Sequence, residues 1–397
     1  MVMAPSDDLA PPVASIGVIG WLRKNLFSNW YNSLLSLLSL WFLVTVGGEF
    51  VRWAVTGAKW SVISSNLRLF MVGPYPPDQV WRVWLVLASV CLVFGMAGGV
   101  FGGTIRQFAA ALAATLAGLA LLPFDLVGRG WLLGNVAVVV VGYWVARGRS
   151  GMRPWLVLLS LATFAASILL LQGFEGNAIL PAVSTSQWGG LLLTFVLTAV
   201  SIVVSFPLGV LLALGRRSQL ITVRWFSIVY IEVVRGVPLI TILYMTQIML
   251  PLFLPGDVRI DSVVRAMAGM TFFTAAYTAE NVRGGLQAVP GGQAEAANAL
   301  GLNNALTTLL IVLPQALRMV IPASVGQFIS LFKDTTLVLI VGLLDLLSVG
   351  RSVLAQPESM GLQTEVYLFV AAVFFVFSYA MSYASYRLES ALGVGKR

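Results

Sequence analysis

Runs of about twenty mainly apolar residues recur along this 397-residue chain, and no other feature limits its fold so strongly. A helix needs about 20 such residues to cross the hydrocarbon of a bilayer. Ten segments approach that length: about 31–50, 83–103, 107–127, 131–146, 154–172, 189–214, 228–254, 263–282, 306–331 and 363–386. The fourth is short. Hydrophobic residues make up 58% of the chain and charged residues 10%, against roughly 25% charged in an ordinary globular protein. Most of the charge that a water-facing surface carries is missing, so the main solvent is lipid. The sequence predicts an all-α polytopic membrane protein with about ten transmembrane helices.

The net charge is +8, yet no basic run exceeds two residues. The charge therefore reads as membrane topology rather than as nucleic-acid binding. Arg23, Lys24, Arg106, Arg147, Arg149, Arg153, Arg216, Arg217, Arg224, Arg387, Lys396 and Arg397 fall on one side of a ten-crossing chain. That side is expected to be the cytoplasm, with both termini inside. Residues 51–82 conflict with this count, because Arg52, Lys59, Arg68 and Arg82 then lie outside. Trp53, Trp60, Trp81 and Trp84 mark that stretch as an interfacial segment. Residues 1–20 carry Asp7, Asp8 and three prolines, so no cleavable signal peptide is expected.

The chemistry excluded is broad. There is no histidine and one cysteine, Cys91. Histidine catalysis, Cys-based metal clusters and an internal disulfide are thereby excluded, and no metal site is expected. There is no G-x-S-x-G motif and no clustered carboxylate pair, which leaves a membrane enzyme without its usual nucleophile and base. No G-x-x-x-x-G-K-[ST] loop occurs, and the lone Gly-Lys pair is Gly395-Lys396. Any ATP hydrolysis coupled to this chain belongs to another subunit.

The chain divides near 173–188, a polar outside loop with Gly173, Glu175, Gly176 and Pro181. Residues 1–30 read as a tail and 31–172 as an accessory region of plain lipid-facing helices. Residues 189–390 carry ionisable groups within or beside their spans: Glu232, Arg235, Glu280, Arg283, Lys333 and Asp334. Such groups are costly in lipid and point to function. Glu232 with Arg235, and Glu280 with Arg283, have i,i+3 spacing, which puts each pair on one helix face. They read as gate or structural ion pairs. Gly236 and Pro238 should distort the seventh span, and Pro314 and Pro322 the ninth, because proline cannot donate to the carbonyl four residues back. Lys333, Asp334, Thr335 and Thr336 offer both charges and two hydroxyls to a zwitterion, with Gln327 nearby. Two readings stand for them: substrate contact at a broken helix, or the outer boundary of the membrane.

The most distinctive run is EAANALGLNNALTTLLIVLP, from Glu295 to Pro314. Pro290, Gly291 and Gly292 stop the preceding helix, residues 293–300 read as a short helix with an alanine face, and Gly301 ends it. A knob of that kind between two spans suits docking of a partner; an amphipathic connector on the membrane is the other reading.

This run resembles the EAA signature of ATP-binding-cassette (ABC) importer permeases. Glu232, Arg235-Gly236 and Pro238 resemble the polar amino-acid branch. So do Ala276-Tyr277, Glu280, Arg283-Gly284-Gly285, Gln287, Val289-Pro290, Gly292-Gln293 and Lys333-Asp334-Thr335-Thr336-Leu337. The resemblance covers about residues 186–390. The first half, with Gly73-Pro74-Tyr75-Pro76, is similar to the larger permeases of general L-amino-acid importers. The resemblance implies a bacterial inner-membrane permease subunit for polar L-amino acids, with the C-terminal five helices forming a type I importer core. It implies a coupling helix at about 290–303, carried by Glu295, Ala296, Ala297, Leu300 and Gly301 and seated on an ATPase dimer that binds ATP and Mg. It also implies a second permease subunit in a heterodimer and a periplasmic amino-acid-binding protein, with 173–188 as a periplasmic loop. Glu232 and Tyr277 join Lys333 to Thr336 and Gln327 on the expected substrate path. The competing function is an ion-coupled secondary transporter with a 5+5 inverted repeat, for which Lys333-Asp334 and Glu232-Arg235 lack counterparts before residue 173.

Overall fold

The computed structural model describes residues 17–121, 125–253, 255 and 260–392. Asp7, Asp8, Gly395, Lys396 and Arg397 lie outside the described residues. By internal contacts the chain forms two compact units, up to Ser61 and from Val62 onward. The first holds α1 (Gly17–Asn25) and α2 (Trp30–Arg52), the latter continued by a π turn over Trp53–Gly57. No residue of α2 is buried. Trp53 and Trp60 meet at 6.2 Å between ring centroids.

The boundary falls at the first residue of α3 (Ser61–Ser65), which α4 (Leu67–Val72) follows. Four longer helices follow: α5 (Trp81–Phe101), α6 (Gly103–Ala120), α7 (Leu126–Ala146) and α8 (Arg153–Gln172). Glycines set how closely α5 and α7 approach. A Cβ on Gly95 would lie 2.3 Å from the Val139 carbonyl oxygen, and one on Gly142 2.8 Å from that of Leu92. Small residues at the contact let helix backbones come together where lipid offers no hydrophobic drive to association.

The remaining helices are α9 (Gly190–Arg216), α10 (Ile221–Gly236), α11 (Leu239–Tyr244), α12 (Leu250–Leu252), α13 (Ser262–Ala288), α14 (Gly291–Ala299), α15 (Asn304–Leu306), α16 (Leu313–Asp334), α17 (Leu346–Leu354) and α18 (Gln363–Leu392). Helix α13 is central: Gly209 of α9 sits against Thr278 and Ala275, and Gly285 against Ala316 and Val320 of α16. Its buried face is made of Gly, Ala and Thr with few large apolar residues, because it meets protein rather than lipid.

Two sequence expectations change here. The span expected over 228–254 is two elements, Ile221–Gly236 and Leu239–Leu252, meeting at 108°. Pro238 caps the second, and Val237 between them is extended. The Gly-Val-Pro run thus breaks the helix outright. The count of ten crossings is also not confirmed. Among the described residues seven helical stretches are long and apolar enough to cross, eight if the bent pair is one span. Helices α6 and α13 stand where spans were expected but fall short of that measure.

The segment 62–82 packs against residues that follow 188. Val62, Ile63 and Phe70 share a core with Leu346, Val349, Val353, Val366 and Val370. Val72 and Tyr75 share another with Trp188, Leu193, Leu197 and Val338. The chains touch backbone to backbone: a Cβ on Gly73 would meet the Gly189 Cα at 2.4 Å, and one on Gly190 the Phe70 carbonyl at 2.3 Å. Arg82 is fully buried and donates to the Pro181 carbonyl at 2.9 Å, which ties the 173–188 loop down.

Candidate functional site

The chemistry-bearing residues collect in three places. The first is α14, with Pro290 just before it. Its C-terminus is closed by two backbone bonds, Leu302 N–H to the Ala297 carbonyl at 3.1 Å and Gly301 N–H to that of Asn298 at 2.9 Å. Gly301 takes φ +88°, a left-handed conformation that favours glycine. Asn298 accepts from the Thr307 hydroxyl at 3.1 Å, which fastens the helix to the π-helical turn Thr307–Val312 before α16. Glu295, Ala296 and Leu300 are exposed, Leu300 at 85%. Ala297, expected beside them on a docking face, is buried and serves as the anchor.

The second place is a charge cluster where α9, α10 and α13 meet. Glu280 pairs with Arg283 at 2.5 Å, Arg235 at 3.6 Å and Arg216 at 3.9 Å. Arg216 also holds Glu232 at 2.9 Å. Arg283 reaches on to the Gln287 side-chain oxygen at 2.8 Å. The Arg235 guanidinium lies 5.6 Å from the centre of the Tyr277 ring, and the Tyr230 hydroxyl donates to the Phe272 carbonyl at 2.8 Å. Three arginines and two glutamates thus join three helices, with one positive charge in excess. The i,i+3 expectation holds for Glu280–Arg283 alone. Glu232 and Arg235 do not pair with each other; each turns to another helix, because those partners sit closer than its neighbour one turn away.

The third place is the end of α16. The helix tightens into a 3-10 stretch over Thr335–Val341 without a break. Lys333 is exposed and Asp334 half-buried. The Thr335 hydroxyl donates to the Phe332 carbonyl and that of Thr336 to the Lys333 carbonyl, both at 2.8 Å. The break expected near Lys333 is therefore absent: the two hydroxyls bond back into the helix, and the left-handed stop comes later, at Gly342. Gln327 lies apart from these residues. It accepts from Asn281 at 2.8 Å and donates to the Thr274 carbonyl at 3.0 Å, clamping α16 to α13. Six residues separate Gln327 from Lys333, about 9 Å along a helix. Gly285 packs beside Ala316 and Val320, so the helices run antiparallel. The charge cluster and the Lys333–Thr336 group accordingly stand at different heights on α13 and α16. The structure does not bring them into one site.

Comparison with known proteins decides what these places belong to. Residues 205–392 match the family described as "Binding-protein-dependent transport system inner membrane component". The inner membrane amino-acid ABC transporter permease protein YhdY of Escherichia coli K12 is 37% identical over 95% of this chain and 93% of its own length. The glutamate/glutamine/aspartate/asparagine transport system permease protein BztC of Rhodobacter capsulatus is 38% identical over 98% and 97%. The chain belongs to the amino-acid ABC transporter permeases. The shorter glutamate/aspartate import permease protein GltK of Escherichia coli O6:H1 is 34% identical over 94% of its length but 53% of this chain. This permease is therefore a multi-pass inner-membrane protein of the longer kind, and the 5+5 ion-coupled carrier is set aside.

Two contacts carry no sequence signal. Arg216 reads as a topology charge, yet it bridges Glu232 and Glu280. Asn281 follows Glu280 directly and pairs with Gln327, but a lone polar residue in a helix gives no sign of its partner 46 residues away. The hinge prolines differ in setting. Pro238 stands at the 108° break, Pro314 directly after the π-helical turn Thr307–Val312 that runs into α16, and Pro322 inside that helix.

Proposed function

We propose that this permease is the membrane subunit of an ATP-driven importer for polar L-amino acids and that α14 is the coupling helix seated on a separate ATPase. The observation that carries the reading is α14 itself. A short helix, closed at its C-terminus and fastened by Ala297 and the Asn298–Thr307 bond, presents Glu295, Ala296 and Leu300 outward. A rigid knob passes motion of a partner into α13 and α16; a mobile loop would absorb it. ATP and Mg are bound by the partner, an ATPase dimer. A second permease, in a heterodimer, and a periplasmic amino-acid-binding protein complete the assembly. Both termini face the cytoplasm, and 31–172 is accessory to the 189–390 core.

Polar amino acids are supported by the name of the long relative BztC and by the residue types available. Lys333 and Asp334 suit the two charges of a zwitterion, with Thr335 and Thr336 shaping the helix end they stand on. Glu232 and Tyr277 lie further along the path. The Glu232–Arg216 and Glu280–Arg235–Arg283 pairs act as the inner gate, Gln327 holds α16 against α13, and the break at Gly236–Pro238 is the hinge. Glu295→Arg tests the coupling assignment. Purified with its native partners, the variant loses the co-eluting ATPase and amino-acid uptake, while its own membrane insertion is unchanged. Undiminished ATP-driven uptake would refute it.

A further inference from the structure

The helices before the family core carry a charge pattern that transport does not use. Between residues 79 and 172 the sequence has one carboxylate, Asp125. It caps the first turn of α7, a 21-residue helix, and so lies about 30 Å from Arg147 at the other end. Arg106, Arg147, Arg149 and Arg153 are all exposed at that other end. None pairs with a carboxylate among the described residues.

Three of the four are gathered on one turn of α5. A Cβ on Gly98 would lie 3.3 Å from the Arg106 Cα, and one on Gly99 3.0 Å from the Arg147 backbone nitrogen. The Arg153 guanidinium lies 5.8 Å from the centre of the Phe101 ring. Arg147 is held over Trp144 at 4.9 Å. Directly beside this turn is an apolar groove of about 310 Å³, lined by Met96 of α5 and by Met152, Trp155, Leu156, Leu159 and Ala162 at the start of α8. A topology signal needs only charge in the loops. It does not need three arginine-bearing elements drawn onto one helical turn above a groove without polar lining.

We propose that this is a binding site for an anionic phospholipid, with the phosphodiester among Arg106, Arg147 and Arg153 and an acyl chain in the Met96–Ala162 groove. Unpaired guanidiniums at a membrane surface attract acidic headgroups, and their fork of donors matches phosphate oxygens. The apolar groove takes the part of the ligand that a free phosphate lacks.

The full-length permease, purified with its native subunits, is titrated in detergent with dioleoyl phosphatidylglycerol, dioleoyl phosphatidylcholine or inorganic phosphate, and bound molecules are counted by native mass spectrometry. The wild type binds phosphatidylglycerol in preference to phosphatidylcholine. Combining Arg106→Gln, Arg147→Gln and Arg153→Gln weakens that binding by roughly fivefold per arginine removed. Ala162→Trp, which fills the groove and keeps every charge, weakens it as well. Arg129→Gln, at the opposite end of α7, leaves it unchanged. Either of the first two variants decides the matter if the other fails to elute as a single species, and ligand protection of the wild type against heating decides it if both fail. Equal retention of the two lipids, or phosphatidylglycerol binding that survives both variants, overturns the proposal. So does inorganic phosphate bound at the arginines with Ala162→Trp without effect, which would make the site one for a soluble anion.

Discussion

The α5–α7 and α9–α13 pairs use the same packing device with opposite chemistry. Both let backbones approach through glycine: Gly95, Gly99 and Gly142 in the first, Gly209 in the second. The first pair is apolar around its contact, with Asn135 as its buried polar side chain apart from Arg82 at the helix start. The second buries Thr194, Thr198, Ser201, Ser205, Thr271, Thr274 and Thr278. Their hydroxyls either bond to the preceding turn, as Thr194 and Thr198 do, or stay unpaired, as for Ser201 and Thr278. Close packing therefore does not distinguish the two pairs; the polarity of the packed face does. Most of the breaks follow the same division. The 108° turn, two of the three π segments and the 3-10 end of α16 lie after residue 220, and the third π segment, Trp53–Gly57, continues α2.

The largest effect comes from breaking the shared device. Gly95→Leu drives a side chain into the Val139 carbonyl, and since the obstacle is backbone, the helices must separate. Overpacking of this kind costs about 1–3 kcal/mol or more. The expected outcome is little or no folded permease on size-exclusion chromatography. Next is Glu280→Gln. One carboxylate faces three guanidiniums, and its removal leaves like charges facing one another where three helices join. Uptake falls by roughly tenfold while insertion and elution stay normal, the pairs being too exposed for a large stability loss. Glu232→Gln, with a single partner and a half-exposed side chain, lowers uptake less. Equal losses from the two would show that the cluster has no centre at Glu280.

How far this was legible in the sequence follows the same comparison. Uniform apolar runs such as 154–172 specify helices by composition alone, and α8 lies there. The 189–390 region is legible in residue type but not in geometry. Glu232 and Arg235 are one turn apart, so sequence pairs them, yet each finds a partner on another helix. Gly236-Val237-Pro238 announces a distortion, but its angle depends on what α10 and α11 pack against. The ten-crossing count puts Arg82 in an outside loop, yet the side chain is fully buried. Its partner is the main-chain carbonyl of Pro181, which no side-chain pattern reveals. The contacts of Gly73 with Gly189 and of Gly190 with Phe70 involve no side chain on the glycine side, so the joining of 62–82 to the core was invisible.

Smaller effects sharpen the contrast. Thr278→Val keeps shape and deletes a buried hydroxyl. Because such interhelical polar groups contribute about 0.6 kcal/mol on average, the thermal midpoint barely moves. A clear drop in uptake with an unmoved midpoint would mark the α9–α13 hydroxyls as part of the path. The smallest effect is at Asp345, between the last two spans. Its carboxylate is buried and accepts from the Leu347 and Ser348 backbone N–H groups and the Ser348 hydroxyl at the start of α17. Burial pushes its pKa above the usual aspartate range, and the Ser348 and Leu347 bonds only partly offset this. A carboxyl whose folded pKa is raised contributes stability that is present below its unfolded pKa, near 4, and is lost as pH rises through the folded value. The thermal midpoint of the wild type should therefore fall modestly on going from below pH 4 to neutrality, after correction for every other group. Asp345→Asn removes that component and keeps an acceptor for the helix N-terminus, so the difference between the two proteins isolates it. A midpoint difference independent of pH would show that the capping bonds, rather than burial, set the charge state of Asp345.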